Sequence, residues 1–176
     1  MPSSITPEQA LEKVLKISRR NGGSVVVFAG LCTFLTVLLG DWTGVFVGSL
    51  VVASGIMELQ GNRMLRRGEA DGMRWLIRAQ FFLLSVIFVY AVTRLVSYSR
   101  ELGMESFSPD MRDVLKQLDL KPDDILPLVR KIVWAFYGSV ILATGLYQGG
   151  LAFFYNRRKA FVEQALAVPA APENDD

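Results

Sequence analysis

Apolar residues are gathered into four long blocks with short polar segments between them. The blocks hold few charges and cover residues 24–40, 42–59, 79–97 and 132–155. Because a helix rises about 1.5 Å per residue, each block is about long enough to cross the hydrocarbon core of a bilayer. A soluble bundle would place polar residues at every third or fourth position, and these blocks do not. The pattern predicts an all-α integral membrane protein with four transmembrane helices.

The segment before the first block is predicted to form an amphipathic helical leader, at residues 1–23. Thr6, Pro7 and Gln9 form a helix start with a capping box. Apolar positions share one face, as expected of a helix lying on the membrane surface, and the residues at 21–23 (Asn-Gly-Gly) are expected to end it. The alternative is an exposed leader that only carries charge.

The other segments follow from the blocks. We expect a transmembrane hairpin at 24–60, a basic cytoplasmic loop at 61–78, transmembrane helix 3 at 79–97, an outer loop at 98–131, transmembrane helix 4 at 132–155 and a cytoplasmic tail at 156–176 that is disordered at its end. Apolar spacing after Ser108 predicts an interfacial helix in the outer loop. A second helix start follows at Lys121, and Pro127 is expected to kink or delay that helix.

Residues 48–67 align without a gap with residues 138–157. The matched residues include two glycines, a serine and an alanine in each copy, and Glu58 falls opposite Gln148. The alignment predicts two duplicated αα-hairpins related by an axis along the membrane normal. Independent convergence on a glycine-rich packing helix is the alternative.

Small residues line one side of both repeat copies. At about 100° per residue, they fall within one stripe on each helix, namely Gly44, Gly48 and Gly55 in the second span and Gly138 and Gly145 in the fourth. Small side chains let transmembrane helices approach closely. We therefore expect helix-packing seams here, used for self-association or for contact with another membrane protein.

Glu58 is the main candidate for a polar site inside the membrane. A carboxyl group at membrane depth is costly and is by default a functional hypothesis. The candidate site comprises Glu58, Gln148, Asn62 and Arg78. The alternative is a structural ion pair at the inner headgroup level, with Arg78 on the next helix or Arg63 on the same helix as partner.

Charge predicts the orientation of the chain. Lys and Arg cluster in the leader, in the middle loop and just after the fourth span, while the first hairpin has only Asp41. The positive-inside rule then places both termini in the cytoplasm. The basic segments are also suited to anionic lipid headgroups. The pattern resembles that of many small four-span proteins of bacterial inner membranes, which implies a multi-pass location in such a membrane.

The sequence holds no motif for catalysis. It has no histidine and one cysteine, and it shows no phosphate-binding glycine loop, no metal-ligand spacing and no nucleophile–base set. We expect no enzyme activity, no cofactor, no metal and no nucleic-acid partner. The leading hypothesis is a structural or accessory subunit that acts through helix–helix or lipid contacts. The alternative is a small ion channel or carrier with its polar site at Glu58 and Gln148.

Overall fold

In the computed structural model the chain forms four long helices. The structure describes residues 6–101 and 122–167, with side chains at 6–97 and 125–167. The helices are α1 (Pro7–Leu38), α2 (Trp42–Arg66), α3 (Gly72–Glu101) and α4 (Pro122–Ala167). All four are long and apolar enough to cross a membrane, and no strand occurs in the described part of the chain. The prediction of an all-α, multi-pass membrane protein is confirmed.

The predicted leader and the first span are a single helix. The capping box forms as expected, because the Gln9 backbone N–H donates to the Thr6 hydroxyl at 3.3 Å. The expected break at residues 21–23 does not occur, since α1 continues to Leu38. The reason is tertiary contact: Asn21 and Gly22 are buried against α2, and packing of this kind overrides local helix propensity.

The turns between the first three helices are short. Asp41 caps α2 by accepting a hydrogen bond of 3.0 Å from the Gly44 backbone N–H. Gly40, at φ 69°, and Gly68, at φ 82°, adopt the left-handed conformation that favours glycine. Because α2 and α3 extend into the predicted basic loop at 61–78, only residues 67–71 remain between these two helices.

Helix α4 is much longer than the predicted fourth span. Its 46 residues correspond to about 69 Å of helix, and they extend beyond 132–155 in both directions. Pro127 lies inside the helix and does not delay it. The interfacial helix predicted after Ser108 and the end of the predicted tail lie outside the described residues.

The described chain divides into two compact units. The first contains the residues up to Val86 and those from Tyr147 onward, and the second contains Ile87–Leu146. Every helix contributes to the core of the first unit, which is formed by Val14, Leu65, Met73, Leu76, Tyr155 and Val162. The apolar face of the N-terminal part of α1 therefore packs inside the protein, contrary to the prediction that it lies on the membrane surface.

Apolar side chains remain exposed along the spans. In the most apolar 18-residue stretch of each helix, at most 28% of the residues are buried. The exposed side chains within the second unit include Phe88, Val89, Trp134, Phe136 and Leu142. In water such a surface would be strongly unfavourable, which agrees with helices that cross a membrane.

Candidate functional site: a buried carboxyl group and a basic groove

Glu58 lies in the interior of the first unit. Its side chain is 2% exposed. Asn21 on α1 donates from Nδ2 to Oε2 of Glu58 at 2.6 Å, and the Tyr155 hydroxyl on α4 donates to Oε1 at 2.8 Å. Three helices thus meet at one carboxyl group, and each of its oxygens accepts a hydrogen bond from a neutral donor.

Asn21 connects Glu58 to a second tyrosine. While its Nδ2 donates to Glu58, its Oδ1 accepts a hydrogen bond of 2.8 Å from the Tyr147 hydroxyl. The Tyr147 side chain is 57% exposed, whereas Tyr155 is fully buried. The result is a continuous hydrogen-bonded chain from a tyrosine at the protein surface to the interior carboxyl group.

Two glutamines add polar atoms to this interior. Gln80 on α3 is 1% exposed, and its amide nitrogen donates a hydrogen bond to Glu58. Gln148 on α4 is 6% exposed. The Oε1 atom of each glutamine is buried and has no hydrogen-bond partner among the described residues. Such unpaired acceptors are uncommon, because leaving a buried carbonyl oxygen without a donor costs about 1–3 kcal/mol.

A second polar layer lies one helical turn further along α2. Asn62 donates from Nδ2 to the Ser18 hydroxyl at 2.6 Å and to the Leu15 carbonyl at 2.7 Å. Its Oδ1 accepts a hydrogen bond of 3.1 Å from Nε of Arg66. Asn62 therefore joins α2 to α1 and does not touch Glu58 through any described hydrogen bond.

Glycine allows α1 and α2 to come this close together. A Cβ atom built at Gly55 would lie 3.0 Å from the Gly22 carbonyl oxygen, and one built at Gly22 would lie 3.1 Å from the Gly55 carbonyl oxygen. Further along α2, Gly48 faces Thr33 of α1, and Gly44 faces Thr36. The stripe of small residues on α2 thus faces α1.

The corresponding stripe on α4 has a different environment. Within the second unit, no described atom lies within 4 Å of a Cβ built at Gly138 or Gly145. A side chain at either position would therefore meet nothing in its own unit, although both belong to the same sequence repeat as Gly48 and Gly55.

The two repeat copies nevertheless bury equivalent positions within the first unit. Glu58 and Gln148 are both buried, and so are the aligned residues Leu65 and Tyr155. The fourth-span copy therefore buries the same positions of the repeat as the second-span copy does. Glu58 and Tyr155 occupy different positions of the repeat, and they contact each other in this shared interior.

Arg78 does not reach the carboxyl group. Its side chain is exposed, and no hydrogen bond or ion pair joins it to Glu58 in the described part of the chain. Arg63 is exposed as well. The alternative of a structural ion pair at Glu58 therefore has no support in this geometry, because the groups that contact the carboxyl oxygens carry no charge.

A basic groove lies on α1 and α2, next to the Asn62 layer. Two adjoining depressions of about 550 and 350 Å³ form it, and they share Arg19 and Arg66. We call this surface the basic groove; its lining comprises Glu12, Leu15, Lys16, Arg19, Arg20, Leu59, Asn62, Arg63 and Arg66. Its lysine and arginines are exposed, and none forms an ion pair with a carboxylate among residues 6–97 and 125–167.

Sequence reasoning found Glu58 but missed its partners. The local sequence at Asn21 predicts a helix break, and Tyr155 falls at the end of the predicted fourth span. The sequence does contain a signal for Gln80, because it is a single amide in an apolar span. Burying an amide at membrane depth is unfavourable unless it finds a hydrogen-bond partner. Tyr155 could not be found this way, since it is separated from Glu58 by 97 residues.

Comparison of the chain with protein-family models, with curated proteins and with solved structures finds no match.

Proposed function

We propose that this chain is a non-enzymatic inner-membrane protein that acts as a structural or accessory subunit through lipid and helix contacts. The basic groove is the observation that carries the proposal. It brings together one lysine and four arginines, and only one carboxylate, Glu12, lies among them. Groups of cationic side chains between transmembrane helices bind anionic lipid headgroups.

The position of the groove along the membrane normal agrees with a site for lipid headgroups. Trp42 begins α2, and tryptophan is enriched at membrane interfaces. From Trp42 to Arg63 the helix rises about 31 Å, close to the ~30 Å thickness of the hydrocarbon core. Arg63 and Arg66 would then lie at the opposite headgroup layer. This placement also supports the proposed orientation, with both termini on the cytoplasmic side.

The proposed ligand is an anionic phospholipid and not a soluble phosphate compound. Leu15 and Leu59 line the groove together with the cationic side chains, and the neighbouring Ile56 is an exposed apolar residue on α2. A phospholipid can satisfy both surfaces, because its phosphate binds the arginines while its acyl chains cover the apolar side chains.

The test is lipid binding to the purified protein in detergent, measured by native mass spectrometry. Phosphatidylglycerol and phosphatidylcholine with identical acyl chains are compared on the wild type and on an Arg19→Gln/Arg66→Gln variant. Each basic residue contributes about 1 kcal/mol to the free energy of binding an anionic lipid. We therefore expect the variant, which lacks two of them, to bind phosphatidylglycerol roughly thirtyfold more weakly.

The matched control is Arg74→Gln/Arg157→Gln, which removes the same charge from exposed positions outside the groove. It should retain wild-type affinity. Equal binding of the two lipids by the wild type, or an equal loss in the control variant, would refute lipid binding in the groove.

We also propose self-association, or contact with another membrane protein, through α4. The open space at Gly138 and Gly145 and the exposed apolar side chains nearby support this. Small residues at such positions let a second helix approach closely. The mass of the purified protein in detergent, compared between the wild type and a Gly138→Leu/Gly145→Leu variant, tests this proposal.

A channel or carrier is the second candidate function. It is favoured by the burial of Glu58 and Gln148, two polar residues on helices long enough to span a membrane. Ion flux into liposomes containing the wild type or Glu58→Gln tests this candidate. Flux that the substitution abolishes would support it, and the absence of flux for every ion tested would refute it.

A further inference from the structure

Glu58 has no positive partner in the described structure. Its hydrogen-bond partners are Asn21, Tyr155 and Gln80, all of which are neutral. The groups that contact it on α1 and α3 are amides, and the one on α4 is the Tyr155 hydroxyl. An ionised carboxylate that is 2% exposed and not compensated by a positive charge is strongly unfavourable inside a protein.

The same place also lacks a donor. Gln80 donates a hydrogen bond from its amide nitrogen to Glu58, while its Oε1 is buried and has no described partner. Oε1 of Gln148 is buried without a partner as well, on the side of α4 that carries Tyr155, because residues seven apart lie on the same side of a helix. A buried carboxyl group without a counter-charge thus adjoins an amide whose oxygen has no donor. One positive charge would satisfy both groups if the amide turned its oxygen towards it.

We propose that Glu58 and Gln80 form a buried binding site for a single positive charge, either a small monovalent cation such as Na⁺ or a proton. The ligand atoms are all oxygens, which suit hard cations. One carboxylate balances one unit of charge, whereas divalent sites generally assemble several carboxylates. Within the described residues no group of three acidic, histidine or cysteine side chains forms a metal site.

The two forms of the ligand satisfy the site differently. A bound Na⁺ would be coordinated by a carboxylate oxygen of Glu58 and, once the Gln80 amide has turned its oxygen towards the ion, by Oε1 of Gln80. A proton on Glu58 would instead make the carboxyl group a donor, and the same turn of the amide would offer Oε1 of Gln80 as the acceptor. Occupancy of the site depends neither on lipid binding nor on transport.

The experiment uses the full-length protein in detergent. Thermal unfolding is measured in NaCl, LiCl and KCl against choline chloride at constant ionic strength and neutral pH. At a cation concentration one hundred times its dissociation constant, we expect the midpoint to rise by about 5–10 °C. The infrared carbonyl band of a protonated carboxyl group, recorded without small cations, tests for the proton.

Variants identify the site. Glu58→Gln should abolish the cation-dependent rise and the protonated-carboxyl band, and Gln80→Leu should weaken cation binding at least tenfold. The controls Glu163→Gln and Gln164→Leu change the same residue types at exposed positions on α4 and should behave as the wild type. The wild-type measurements stand even where a variant fails to fold.

A cation-dependent midpoint that requires Glu58 supports the cation form, and the infrared band without cation dependence supports the proton form. If the wild type shows neither signal, Glu58 is ionised without a bound charge and the proposal is overturned. Lipid binding through Arg19 and Arg66 would be unaffected by that result, so the two proposals can fail separately.

Discussion

The Tyr155 hydroxyl donates a hydrogen bond of 2.8 Å to Oε1 of Glu58, across a separation of 97 residues. This bond joins α4 to α2 at a point where Asn21 also joins α1 to α2. Polar contacts of this kind fix which faces of the helices meet, whereas contacts between exposed apolar stretches do not. The register of three helices therefore depends on one carboxyl group.

Tyr155→Phe should destabilise the protein by about 1–2 kcal/mol. The ring stays buried, so the change removes only the donor and leaves one carboxylate oxygen unpaired. The measurement is unfolding in mixed detergent micelles. Tyr147→Phe is the comparison, and its loss should be smaller because that ring is largely exposed. Equal losses in the two variants would contradict the unequal roles assigned to these hydroxyls.

Gly22→Leu should destabilise the protein by about 1–3 kcal/mol, because a side chain there meets the backbone of α2 and forces the helices apart. Gly23→Leu is an unusually close control. No described atom lies within 4 Å of a Cβ at Gly23, so this change should be neutral or slightly stabilising through better helix propensity. A similar loss for both variants would show that the close approach of α1 and α2 is incorrect.

Asn62→Leu should lower the free energy of unfolding by about 1–3 kcal/mol. The substitution preserves the approximate size of the side chain but removes the donor to Ser18 and the acceptor for Arg66. Asn156→Leu makes the same change at an exposed position of α4, and we expect less than about 0.5 kcal/mol there. The measurement compares the unfolding curves of the two variants. Indistinguishable curves would mean that Asn62 does not connect α1 to α2.

Gly138→Leu combined with Gly145→Leu should leave the fold of a single chain intact and reduce its self-association. Both positions have open space within their own unit, so larger side chains meet nothing there, but they would block a second helix. Light scattering in detergent gives the protein mass. An unchanged oligomer would refute association through this face, and a monomeric wild type would refute self-association altogether.

Much of the architecture could be predicted from local patterns. The four apolar blocks, the capping box at Thr6 and the hairpin at 24–60 depend on neighbouring residues, and the structure contains all of them. The continuity of α1 could not be predicted, because it depends on contacts of Asn21 and Gly22 with another helix.

In the candidate site, too, one residue could be predicted from its local sequence and its partners could not. Glu58 was identifiable because a carboxyl group in an apolar block is unusual by itself. Its partners lie on three other helices, and sequence spacing within one helix gives no information about them. Attraction between opposite charges predicts Arg78 as a partner, but the carboxyl group is held by two neutral amides and the Tyr155 hydroxyl. Which of these side chains reach Glu58 depends on how the helices pack.

The unbroken course of α1 has a mechanical consequence. The helix contacts α2 at Gly22, near its middle, and again at Thr33 and Thr36 towards its C-terminal end. These contacts extend along about 21 Å of the same helix, so α1 cannot tilt about one of them without separating from α2 at the others. A displacement of the N-terminal part of α1 must therefore be shared by its membrane-spanning part.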